Sequence, residues 1–154
     1  MAGWSAKMRQ LKRWRSLDDC ERKLLLEALV ALTKARLLLW LRPFSATWRD
    51  YDSQNSQRLQ QSDAEPIDPA LVALAVRRAS RVVPASTCLA QALATQMMLA
   101  RRGITVEVRI GVARDEHRSF EAHAWVELGG RVLIGNLNDL DRFEPFPRFS
   151  QEGG

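Results

Sequence analysis

A thiol nucleophile needs a cysteine whose charged form is favoured and a base that can take its proton. Two segments of this chain carry those residue types in that order. Cys88 stands in "PASTCLAQALATQMMLARRG", directly after a Pro-Ala-Ser-Thr breaker stretch and directly before a long apolar run of helical character. The sequence therefore places its thiol in the first turn of a helix, where partial positive charge favours a thiolate. His123 stands in "FEAHAWVELGGRVLIGN", on a stretch whose alternation predicts a strand. The pair suits acyl transfer through a thioester, with peptide cleavage as the leading case.

Each residue also has a plainer reading. A free cysteine is most often an inert, small buried side chain. Cys20 fits that description, because Asp18, Asp19 and Glu21 surround it and oppose a thiolate. A lone strand histidine is usually structural or solvated. His123 is set apart by its flanking Ala122 and Ala124, its alternation with the apolar strand positions and its place after Cys88. His117, among the charges of "RDEHRS", reads as a solvated loop residue. Trp125 shares the strand face of His123 and either shields a site or belongs to the core.

Gly129-Gly130 is a strong signal for a two-residue hairpin loop. Counted outward from that loop, position 123 falls opposite Asn136. Directly opposed side chains share a sheet face about 5 Å apart, so the amide could fix the imidazole and leave its other nitrogen for the thiol. Asp139 is the alternative third member; it and Asp141 lie in a turn of unassigned direction. The Cys88 backbone N–H is an expected oxyanion donor, and no upstream glutamine is evident for the second.

Helices must come first and a sheet second. The stretch "CERKLLLEALVALTKARLLLWLR" predicts a helix, with Ser16 as N-cap, acidic residues in its first turn and a stop near Pro43. Its wide apolar stripe favours packing inside the protein over docking on a partner or a membrane surface. Asp68 and Pro69 open a second, amphipathic helix that ends before Pro84. The Cys88 helix runs to Arg101-Arg102 and stops at Gly103. From Ile104 the period changes to two, predicting strands in "ITVEVRIGVA", "FEAHAWVEL" and "RVLIGN". The tail "DRFEPFPRF" is expected to cross the sheet as irregular structure. The fold class is α+β: N-terminal helices followed by a small antiparallel sheet. Residues 1–50 form a basic helical region, 51–66 a polar loop or linker, and 67–154 the core that carries the chemistry.

With 154 residues, the chain can bury a real core as one domain. Its 46% hydrophobic and 27% charged content is that of an ordinary globular protein. Two distant cysteines make no disulfide framework and suit a reducing, cytoplasmic setting. With two histidines spread over separate segments they make no zinc spacing, and no cofactor is expected. No secretory signal follows the basic N-terminus, and Glu27, Lys34 and Arg36 interrupt the most apolar stretch. The net charge of +5 concentrates before residue 50, in Lys7, Arg9, Lys12, Arg13, Arg15 and their successors. Such a face could draw an acidic peptide, anionic lipid or nucleic acid; the reading keeps the first two and expects no nucleic acid.

The segments "VVPASTCLAQALATQMMLARRGITVEVRIGVA" and "FEAHAWVELGGRVLIGN" resemble the lasso peptide biosynthesis B2 proteins, a bacterial branch of the transglutaminase-like cysteine proteases. "ERKLLLEALVALTKARLLLWLRPF" is similar to the leading helix of that family, so the resemblance covers residues 17–149. It implies a transglutaminase- or papain-like core and a leader peptidase, with Cys88 as nucleophile and His123 as base. The partners implied are a precursor peptide, a small leader-binding B1 protein and an ATP-dependent cyclase. The chain is expected to be a stand-alone B2, without a leader-binding module ahead of its helix. It departs from the family at "LIGN", where members carry an aspartate after the glycine turn and this chain has no acid until Asp139. The rivals are a transamidating acyl transferase built on the same thioester, and a non-enzymatic adaptor for peptide or membrane.

Overall fold

The computed structural model describes residues 18–41, 66–114 and 119–145. Within them the chain runs through three helices, α1 (Asp19–Leu41), α2 (Pro69–Ser80) and α3 (Cys88–Ala100). Strands β1 (Glu107–Arg114), β2 (Phe120–Leu128) and β3 (Arg131–Ile134) follow, then a 3-10 turn (Leu140–Arg142) and a short β4 (Glu144–Pro145). The four strands form one antiparallel sheet in the order β3-β2-β1-β4. The expected α+β class, helices before a small antiparallel sheet, is the architecture found.

Local chemistry sets the helix ends. Helix α1 starts at Asp19; the Asp18 carbonyl accepts from Arg22 N–H, and the Asp18 side chain from the N–H of Asp19. The expected cap Ser16 lies outside the described residues. At α2 the reading of Asp68 and Pro69 holds: the Asp68 carboxylate accepts from Ala70 N–H at 2.9 Å, and proline occupies the first helical position, where no N–H is needed. Helix α3 ends at Ala100, just before the predicted Arg101-Arg102. Ile104 N–H reaches back to the Leu99 carbonyl across Gly103, whose φ is +70°.

The helices stack on one face of the sheet and on one another. Leu24, Leu25, Ala28 and Leu32 of α1, Val72 and Val76 of α2, and Leu93, Met98 and Leu99 of α3 form one core with Val106, Ala124, Val126 and Ile134 of the sheet side. The small residues Ala28, Ala35, Ala79 and Ala92, all fully buried, let the helix axes approach closely. Arg102 locks α1 to α3 from the rim, with two hydrogen bonds to the Glu27 carboxylate at 2.6 and 3.1 Å and a third to the Met98 carbonyl at 2.8 Å. The apolar stripe of α1 is wider than this core uses: Leu26, Val30, Leu37, Trp40 and Leu41 stay exposed.

Two expectations for the sheet are corrected. The hairpin loop is Gly129-Gly130 as read, and Leu128 pairs Arg131 and Glu127 pairs Val132. The next pair is Val126 with Ile134, because Leu133 is an extra residue in β3. Such a bulge moves every later position by one, and β3 ends at Ile134, so Asn136 is not opposite His123. Second, the tail is not wholly irregular: Glu144 and Pro145 pair with Val112 and Gly111 as an edge strand. An edge is where a sheet tolerates proline, which cannot donate to a ladder. The polar stretch of residues 51–65, the basic residues before Asp18 and His117 lie outside the described residues.

Candidate active site

Three residues lead the chain into α3. Ala85 adopts a left-handed φ of +53°, and Thr87 is extended at φ −78°, ψ 161°. The Thr87 hydroxyl oxygen then accepts from Ala90 N–H at 3.2 Å, and its carbonyl from Gln91 N–H at 3.1 Å, so Thr87 is the N-cap and Cys88 the first helical residue. Arg36 of α1 holds this approach in place by donating to the Pro84 carbonyl. Cys88 is half-buried and touches the helix-side core, and no carboxylate shares its first turn. Cys20 differs: it is exposed, not buried, because it lies in the solvent-facing first turn of α1.

His123 sits on the other face of the sheet. Alternation along β2 sends Ala124 and Val126 toward the helices and His123 and Trp125 away from them. On that face a small cluster of Ala113, Trp125 and Phe143 is buried, with Val132 and Leu140 against it. The imidazole stacks on the Trp125 ring, centroids 6.2 Å apart and planes 16° apart, and meets the Phe143 ring at 5.5 Å. Gly111 faces His123 across β1 and makes room for this cluster. A Cβ there would stand 3.0 Å from two ring carbons of Trp125. The indole N–H is satisfied by the Glu127 carboxylate at 2.7 Å, two residues along the same face.

Among the described residues the imidazole has one polar partner. Nε2 lies 2.7 Å from the Gly135 carbonyl oxygen. A carbonyl only accepts, so Nε2 carries the proton and, in the neutral ring, the lone pair is at Nδ1. Asn136 is exposed and makes no hydrogen bond to His123. Asp139 is engaged elsewhere: its carboxylate meets Arg142 Nε at 2.6 Å, and Arg142 also binds Glu121. The hydrogen bond to Glu121 holds the Arg142 guanidinium above the ordinary arginine range. That guanidinium covers the Phe143 ring at 4.7 Å, so among the described residues Asp139 is linked to the histidine cluster through Arg142 and Phe143. Asp141, exposed in the same turn, joins none of these bonds. Among the described residues no hydrogen bond joins the Cys88 thiol to the His123 ring. The structure does not bring the two together: Cys88 touches the helix-side core, whereas the imidazole lies with Trp125 and Phe143 on the opposite face of the sheet.

Sequence reading missed Gly135, Gly111 and Phe143. The glycine after a strand was the available signal, since such residues mark a close backbone approach. Among the described residues no group of three or more metal-ligating side chains gathers, and no helix is long and apolar enough to cross a membrane.

A helix-opening cysteine and a strand histidine are the residue types that thiol acyl chemistry uses. Residues 29–148 match the transglutaminase-like superfamily, and the chain belongs to it. That superfamily includes cysteine proteases and acyl transferases, and both candidate residues fall inside the matched span. No curated protein and no solved structure matches the chain.

Proposed function

We propose that the chain is a cysteine peptidase that removes the leader from a lasso peptide precursor in the cytoplasm, with Cys88 as nucleophile and His123 as base. The observation that carries the chemistry is the placement of Cys88 as the first residue of α3, capped by Thr87, within the matched span. In the proposed reaction the lone pair at Nδ1 of His123 takes the thiol proton, which requires substrate binding to bring the thiol and the ring from their separate faces into reach. Sulfur then attacks the scissile carbonyl carbon, and the oxyanion meets the Cys88 N–H, one of the free donors of a helix start. Collapse breaks the C–N bond; the imidazolium gives its proton to the leaving amine, which becomes the new N-terminus of the core peptide. Water, deprotonated by His123, hydrolyses the thioester and releases the leader as a carboxylate.

The resemblance of "AHAWVE" and its preceding Cys-Leu helix supports the leader peptidase over other members of the superfamily. The exposed apolar row Leu26, Val30, Leu37 and Leu41 on α1 supports a partner, and the reading assigns it to the small leader-binding B1 protein. That partner would raise the local concentration of the scissile segment, and the ATP-dependent cyclase would consume the amine. The test is mass spectrometry of a leader-bearing precursor incubated with the chain, with and without the leader-binding protein. Cleavage that needs Cys88 and rises sharply with the partner supports the reading. Cleavage retained by Cys88→Ala overturns it.

A further inference from the structure

The histidine of a thiol peptidase is oriented by a third group, and among the described residues no side chain hydrogen-bonds this one. We infer that the main-chain carbonyl of Gly135 is the positioning group for His123, and that residue 135 must be glycine for it to act. The inference rests on the reading of His123 as the base.

Three observations converge on that carbonyl. The first is the 2.7 Å contact from Nε2, which fixes the tautomer. A neutral imidazole has one N–H, and giving it to Gly135 leaves Nδ1 as the basic nitrogen. The second is the backbone of residue 135. Its φ is +85°, a region that side chains with a Cβ rarely enter. A Cβ there would stand 2.7 Å from the Ala124 carbonyl oxygen and 2.8 and 2.9 Å from Cβ and Cα of Trp125. Those atoms are strand backbone and a buried ring's root, so they cannot swing aside. The third is the end of β3 at Ile134, one pair beyond the bulge at Leu133, which leaves residue 135 outside the ladder. Its carbonyl is thereby released from strand pairing to accept from a side chain.

The aromatic contacts complete the clamp. Trp125 and Phe143 restrict the ring from two directions, so the hydrogen bond is left to set rotation and tautomer. A carbonyl is neutral. It orients imidazolium well but stabilises its charge less than a carboxylate would. The chain thus keeps the geometry of a third member while giving up its charge.

The direct test uses the native protein. The chain has two histidines, so a His117→Gln variant leaves one imidazole for 15N NMR. Neutral His123 protonated at Nε2 is expected; the Nδ1-H tautomer overturns the inference. The functional test follows acylation of Cys88 by p-nitrophenyl acetate, in a Cys20→Ser background that removes the exposed thiol. Gly135→Ala should slow that acylation about 10- to 100-fold and abolish the tautomer preference, while Asn136→Ala should change it less than about threefold. An unchanged rate in Gly135→Ala, or a loss in Asn136→Ala as large as that of Gly135→Ala, overturns it. Should Gly135→Ala fail to fold, the native tautomer and the Asn136→Ala rate decide alone. A precursor cleaved by Cys88→Ala would remove the peptidase reading while leaving the tautomer result standing, so the two failures are distinguishable.

Discussion

Ala124, Val126 and Ile134 look toward three helices, whereas Ala113, Trp125 and His123 look toward one aromatic ring and a short turn. The helix side is aliphatic, dry and built from residues up to about a hundred positions apart. The far side is small, aromatic and rimmed by Arg109, Arg142, Glu121 and Glu127. Burial of this extent on the helix side supplies most of the hydrophobic stabilisation. The thin far side leaves an imidazole half-buried, beside water, where it can exchange protons. One sheet thus separates the work of holding the fold from the work of holding the histidine.

The separation can be broken in a graded way. On the proposed roles, Cys88→Ala and His123→Ala should each lower precursor cleavage by at least about 10^4-fold, since a nucleophile and its base act as a unit. Thermal unfolding should move little in either. A large fall in melting temperature with His123→Ala would mean that the ring is structural. Leu93→Ala, on the helix side, should behave in the opposite way. It removes a side chain that is 1% exposed and should cost about 2–5 kcal/mol in urea unfolding. Cleavage per folded molecule should hold.

Phe143→Ala tests the far side. The ring is buried and touches His123 at 5.5 Å, so its loss frees the imidazole to rotate. Turnover is expected to fall about 10- to 100-fold, with a smaller stability loss than Leu93→Ala because fewer groups pack there. Equal effects from both variants would show that the two faces are not independent. Glu27→Gln weakens the tie between α1 and α3 and leaves Arg102 partly unpaired, at a cost of about 1.5–3 kcal/mol. It should leave Cys88 acylation unchanged. The smallest effect is expected from Thr87→Ala. Loss of the cap should cost about 1 kcal/mol and slow acylation modestly, by loosening the first turn that carries Cys88.

Much of the scaffold was readable from local chemistry. Asp68-Pro69 named the start of α2, Gly129-Gly130 named the hairpin loop, and the alternation in "FEAHAWVEL" gave β2 its limits, Phe120–Leu128. Each signal depends on residues within a few positions of one another, so it survives without knowledge of the rest of the chain. The placement of Cys88 at a helix start was readable for the same reason, because the breaker stretch and Thr87 precede it directly.

Register was not readable. Counting from the loop is correct for two pairs and then fails at Leu133, because a bulge answers to packing. Leu133 and Ile134 both turn toward the helix-side core, and nothing local to "RVLIGN" announces that. The partner of His123 moved with the register, from the Asn136 side chain to the Gly135 carbonyl. The pairing of Glu144 and Pro145 with β1 was hidden for a related reason: a proline segment looks irregular until an edge is available. The sequence by itself determined which residues could do chemistry and which elements would carry them. Only the tertiary structure decided that Cys88 touches the helix-side core while His123 faces the aromatic cluster, and that a backbone oxygen holds the ring. Side-chain type is a local property, but the face, register and partner of a strand residue are set by what the whole chain packs against it.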